Sequence, residues 1–184
     1  MIGCVAALRA EKNLARLLRA FRLVTEEMPA RLVIVGDGPE RGALAALANT
    51  LGLGARVTFT GHVPEPQLLY AGFDIFALTS DTEQMPMTVL EAMAAALPVA
   101  ATDVGDIRQM LAPGNRDFIV PSDDAALAGA MVALLRQPEL RRAVGAANRA
   151  RAERDYDQET MFRAWRALFD GAGHRGTSSC SVSA

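Results

Sequence analysis

Two carboxylates in one loop-to-helix segment carry the clearest chemical signal. Glu83 and Glu91 have seven residues between them, within Ser80-Asp81-Thr82-Glu83-Gln84-Met85-Pro86-Met87-Thr88-Val89-Leu90-Glu91-Ala92. A helix starting near Met87 leaves Glu83 in the loop. It puts Glu91 one turn into the helix, with its side chain leaning back toward the helix start. Both carboxylates then border one crevice. Between them, unpaired N–H groups of the first helical turn face that crevice, and the helix dipole favours an anion there. This arrangement could hold the diphosphate of a nucleotide sugar, with one carboxylate on the sugar and the other on the ribose. Other readings stay open. Thr88-x-x-Glu91 has the form of a capping box, in which the glutamate only closes the helix start, and Glu83 has the alternative of a solvated loop acid.

Lys12 is the only lysine among the 19 basic residues, the rest being arginine. Chemistry that needs a lysine must therefore use it. The spacing predicts that Lys12 lies in the first turn of a helix, where a cation opposes the dipole by about 0.3–1 kcal/mol. A lysine there makes sense beside an expected anion. A solvated lysine, offset by Glu11, is the alternative.

The elements that must position these groups alternate between short apolar runs and helical periodicity. Strands are expected over residues 2–7, 31–35, 56–60, 73–78, 97–102 and 117–120. Helices are expected over 13–27, from Pro39 (in the first helical position) to about Gly52, and over 66–71, 87–96, 106–111, 123–136, 139–154 and 158–169. Strand–helix alternation of this kind predicts an α/β fold with a doubly wound parallel sheet, right-handed crossovers and a helical C-terminal segment. Ligands of such sheets sit outside the carboxyl ends of the strands, which directs attention to Arg9–Lys12, Gly36–Gly38, Gly61-His62, Ser80–Thr88 and Asp103–Asp106. Residues 1–170 read as one domain, and the Gly/Ser-rich 171–184 as a disordered tail.

Several functions are disfavoured. Gly36-Asp37-Gly38 is followed by Arg41 where a dinucleotide fingerprint needs glycine, so a nicotinamide cofactor is not expected. Lys12 has no glycine-rich loop before it, which removes a P-loop. His62 and His174 have no partners at a metal-ligand spacing. A net charge of −2 argues against a dedicated nucleic-acid binder. Cys4 and Cys180 form no disulfide framework, so a reducing compartment is the default. No apolar run approaches the roughly 18 residues of a membrane span, and Met1-Ile2-Gly3-Cys4-Val5 does not have the form of a signal peptide.

Leu8-Arg9-Ala10-Glu11-Lys12-Asn13, Leu32–Glu40, Val57–Val63, Glu83–Ala94 and Leu97–Gly105 stand in an order and at intervals that form a recognisable set. The chain resembles, from about Ile2 to Tyr156, the C-terminal donor-binding half of family 4 glycosyltransferases, retaining enzymes of the two-domain GT-B fold. The resemblance implies a hexosyltransferase donor domain for a UDP- or GDP-sugar, with retention of configuration and no metal for donor binding. It puts Glu83 on the donor sugar near the reacting centre and Glu91 on the ribose. The amides of Met85, Met87 and Thr88 fall near the sugar and phosphates, Lys12 on the phosphates, and the loop at Gly61-His62-Val63 beside the base; Gly36 is counted among the donor-binding residues. It also implies cytoplasmic location, free or peripheral at the inner membrane face, and an N-terminal acceptor-binding domain that is missing from this chain.

The chain departs from the family pattern in places. The family usually places an arginine five residues before the lysine, where this chain has Ala7; Arg9 is the substitute candidate. Gln84-Met85 replaces a glycine-phenylalanine pair, and Ala96 stands where glycine is usual. A non-catalytic nucleotide-sugar-binding module uses the same residues and remains the alternative. A flavodoxin-like receiver is disfavoured because its first strand would end in paired acids or a phosphate loop. The sugar, the nucleotide and the acceptor are left open.

Overall fold

The computed structural model describes residues 1–173. Six parallel strands form one sheet: β1 (Ile2–Val5), β2 (Leu32–Val35), β3 (Val57–Gly61), β4 (Ile75–Leu78), β5 (Val99–Thr102) and β6 (Ile119–Val120). Their order across the sheet is β3-β2-β1-β4-β5-β6. Order reverses between β1 and β4, which pair Ile2 with Ile75 and Gly3 with Phe76. The loops leaving these neighbours diverge, so a crevice opens at their carboxyl ends.

The strands alternate between two apolar layers, as a sheet covered on both faces requires. Ile2, Cys4, Leu32, Ile34, Ile75 and Ala77 face one layer, formed mainly with α1 (Leu14–Glu27), α2 (Arg41–Thr50) and α5 (Asp124–Arg136). Val5, Val35, Phe76, Leu78, Val99 and Ala101 face the other, with α3 (Met87–Ala94), α4 (Ile107–Met110) and part of α6 (Pro138–Asp155). Burial pushes the Cys4 thiol up to about 12, so it behaves as an apolar core residue. A last helix, α7 (Gln158–Gly173), follows, and its residues 158–170 are all exposed.

The expected α/β architecture holds, with local corrections. α2 begins at Arg41, because Pro39 and Glu40 form the turn ahead of it. The Glu40 N–H donates to Leu8 O at 3.0 Å, which holds that turn against the loop after β1. Pro66–Gly72 is a 3-10 segment. α7 continues through Gly173, past residue 170 where the tail is expected to start. The remainder of that tail, with His174 and Cys180, lies outside the described residues. No helix among the described residues is long and apolar enough to cross a membrane.

Candidate functional site

The floor of the crevice is set by β1 and β2. Their exit loops stay zipped beyond the sheet, with Ala6 N donating to Val35 O and Leu8 N to Asp37 O, both at 3.0 Å. Gly36 has φ +131, and a Cβ there would stand 2.0 Å from Ala6 O. Only glycine allows so close an approach. In β3 the register slips between Ile34–Phe59 and Val35–Gly61, so Thr60 is an extra residue. This bulge turns the chain and brings His62 and Val63 to the crevice wall.

Two adjoining hollows make up the crevice. One, of about 370 Å³, is lined by Gly36, Asp37, His62, Val63 and Thr88 among others. The other, of about 160 Å³, is lined by Lys12, Glu83, Pro86, Met87 and Thr88. Val5, Ala6, Ala7 and Thr88 border both. Size does not mark the site. A hollow of about 840 Å³ lies between Met1, residues 25–31 and Arg56, where α1 ends. A helix C-terminus presents carbonyl oxygens and negative potential, which is the wrong end for a diphosphate.

Lys12 and Glu83 meet across the β1–β4 switch point. Lys12 Nζ donates to Glu83 Oε1 at 2.7 Å, and Ser80 Oγ donates to the same oxygen at 2.6 Å. Lys12 is not in the first turn of α1 as expected. It ends a 3-10 turn, Ala10–Lys12, and Asn13 follows at φ 42 as the N-cap of α1, its side chain accepting from Arg16 N. The helix is therefore capped independently of Lys12, whose ammonium reaches over to the β4 loop.

That loop is clamped on both sides. Toward β1, Asp81 N donates to Glu11 O at 2.9 Å and Thr79 Oγ1 to Lys12 O at 3.0 Å. The Arg16 guanidinium donates to Asp81 Oδ1 at 2.7 Å and to Thr79 O at 2.9 Å. Arg16, and Asn13 beside it, hold the Asp81 carboxyl below the usual carboxylate range. Toward β5, Asp106 N donates to Gln84 O at 3.1 Å. Gly105 has φ +54, and a Cβ there would stand 2.1 Å from Glu83 O.

The helix start differs from a capping box. α3 begins at Met87 with Pro86 in the N-cap position, and no side chain caps it. Thr88 is already the second helical residue, so its hydroxyl is not the cap and Glu91 does not close a box. The first helical N–H groups, including those of Met87 and Thr88, have no partner within the helix. Glu91 instead accepts from the Tyr70 hydroxyl, Oη to Oε2 at 2.7 Å.

The structure thus brings Gly36, His62, Val63, Lys12, Glu83, Met87 and Thr88 to one crevice, with Glu91 one turn along α3 from Thr88. Met85 is exposed on the loop between Glu83 and α3. Arg9 stands apart, in a separate small hollow with Asn13, Glu40 and Leu44. Ala7 lines the crevice with no cation in its place. No group of three or more His, Cys, Asp and Glu side chains is arranged to hold a metal among the described residues. Sequence reasoning missed Tyr70, Ser80 and Arg16. For Arg16 a signal existed: a charged residue placed in the helix between Leu14 and Leu17.

A family model described as glycosyl transferases group 1 matches residues 1–137. The chain belongs to the glycosyl transferases group 1 family. Curated relatives include N-acetyl-alpha-D-glucosaminyl L-malate synthase of Bacillus anthracis, 28% identical over 90% of this chain and 44% of its own length. A GDP-mannose-dependent monoacylated alpha-(1-6)-phosphatidylinositol monomannoside mannosyltransferase of Corynebacterium glutamicum is 30% identical over 88% of this chain and 44% of its own. This group 1 chain therefore spans less than half the length of these relatives. Among solved structures, Anabaena Alr3699/HepE in complex with UDP superposes with a TM-score of 0.85 at 23% identity, over 92% of this chain and 48% of that one. The shared fold is the Rossmann-like half of the GT-B architecture.

Proposed function

We propose that this chain is the donor-binding half of a retaining hexosyltransferase of glycosyltransferase family 4, using a UDP- or GDP-sugar. The observation that carries the reading is the Lys12–Glu83 pair at the head of α3, with Glu91 one turn further on. A cation and free helix N–H groups converge there, which suits a diphosphate. Glu83 then faces the donor sugar, Glu91 accepts from the ribose hydroxyls, and His62 and Val63 flank the base. In the transfer, the bond between the anomeric carbon and the diphosphate oxygen breaks. The acceptor hydroxyl oxygen bonds to that carbon, its proton passes to the departing diphosphate oxygen, and the nucleoside diphosphate leaves. Charge growing on the leaving diphosphate is stabilised by Lys12 and the amides of Met85, Met87 and Thr88.

The relatives' greater length and the open crevice support a second domain that brings the acceptor and excludes water. The enzyme works in the cytoplasm or attached to the inner face of the membrane. Titration calorimetry of the chain with UDP, GDP and ADP tests the donor site. Weak but measurable binding of UDP or GDP is expected, and absence of binding by all three overturns the reading.

A further inference from the structure

Tyr70 lies in the 3-10 segment before β4 and is 1% exposed. Its ring packs edge-on against Phe73, at 5.9 Å between centroids, and tilted against Phe76 at 5.7 Å. These contacts fix the ring, and the ring fixes the hydroxyl. A tyrosine so deep in an apolar layer needs a partner for its polar tip. Two acceptors are in reach, Glu91 Oε2 at 2.7 Å and Thr88 O at 3.3 Å. The hydroxyl has one proton, and the shorter, charge-assisted bond takes it.

Glu91 is half-buried on α3 and receives no other side-chain donor among the described residues. One carboxylate oxygen is therefore tied to the protein and Oε1 is left to meet a ligand. A free glutamate side chain loses rotamer entropy when a ligand captures it. A glutamate already held by a rigid phenol loses less.

We propose that Tyr70 is a positioning residue for the donor site: by holding Glu91 Oε2 it presents Oε1 to the vicinal diol of the nucleotide's ribose and makes affinity depend on that diol. The proposal rests on the reading of Glu91 as the ribose ligand. Burial and the neighbouring Glu91 carboxylate raise the phenol above its usual range, so it remains a donor at neutral and alkaline pH.

The test compares UDP with 2′,3′-dideoxy-UDP, and the GDP pair in parallel, on the full chain and on Tyr70→Phe, Glu91→Gln and the double variant. Tyr70→Phe keeps the ring and removes only the hydroxyl. It is expected to weaken UDP by about tenfold, as for a hydrogen bond to a charged group, and to leave the dideoxy ligand unchanged. The double variant is expected to bind no worse than Glu91→Gln, because the two residues act as a unit. Equal loss for both ligands, or no loss for either, overturns the role of Tyr70, as does full additivity in the double variant. Glu91→Gln binding UDP like the unmodified chain overturns the ribose reading beneath it, and absence of binding by the unmodified chain overturns both.

Discussion

Lys12 Nζ and Glu83 Oε1 lie 2.7 Å apart, so the sole lysine and the loop carboxylate are joined across the switch point of the sheet. The pair is sheltered, with side chains 24% and 9% exposed. A diphosphate entering at α3 would share the Lys12 ammonium with Glu83. Lys12→Ala should weaken nucleoside diphosphate by about 1.5–3 kcal/mol and the free nucleoside very little. It also leaves Glu83 unpaired beside the anion. Lys12→Ala/Glu83→Gln should therefore bind the diphosphate more tightly than Lys12→Ala alone. Calorimetry with UDP, GDP and uridine checks both; equal losses for nucleotide and nucleoside would mean that Lys12 acts only through folding.

Glu83→Gln keeps the oxygen that accepts from Lys12 and Ser80 but loses its charge. A free loop acid would cost almost nothing to neutralise. This one is largely buried and receives two short bonds on one oxygen, so a stability loss of about 1 kcal/mol is expected. Sugar transfer should be abolished in the chain joined to an acceptor-binding domain. Melting curves and transfer of a radiolabelled sugar read the two effects, and wild-type transfer by the variant removes Glu83 from the chemistry.

The parallel sheet was legible in the sequence because its strands are continuous apolar runs and its helices carry a clear 3.6-residue period. The strand-end rule then located Gly36, His62, Lys12 and Glu83 near one crevice. What it could not supply was tertiary partnership. Thr88-x-x-Glu91 fits a capping box by spacing, yet the helix has Pro86 at its N-cap, two residues before Thr88, and Tyr70 claims the glutamate from another element. Arg9 is close to Lys12 in sequence, but the 3-10 turn at Ala10–Lys12 sends the two side chains to different hollows. No periodicity reports such turns.

Ala96 adopts φ 57, the left-handed region, in the turn between α3 and β5. An L-residue there is strained by about 1–2 kcal/mol. Replacing it with glycine relieves that strain but adds unfolded-state entropy worth about 0.4–1 kcal/mol. Strain relief is the larger effect, so Ala96→Gly should stabilise the fold by several tenths of a kcal/mol to about 1 kcal/mol. Its position beyond the far end of α3 predicts unchanged UDP and GDP affinity. Urea denaturation decides the sign; a destabilised variant would show that Ala96 is unstrained.

Asp81 ties the β4 loop to the start of α1, and the Arg16 guanidinium and then the Asn13 amide lower its pKa in the fold. A carboxyl depressed in the folded state contributes stability above its unfolded pKa, about 3.9 for aspartate. That contribution is lost as the pH falls through the lower folded value. The carboxylate is half exposed, so the effect is screened by salt. Asp81→Asn keeps the shape and removes the titration. The stability difference between wild type and Asp81→Asn should be constant from neutral pH to about pH 5, then shrink below about pH 4. It should also shrink at high salt. Urea midpoints from pH 7 to pH 3, at low and high ionic strength, measure it. Parallel curves over the whole range would show that the Arg16–Asp81 pair adds nothing to the clamp that holds Glu83 beside Lys12.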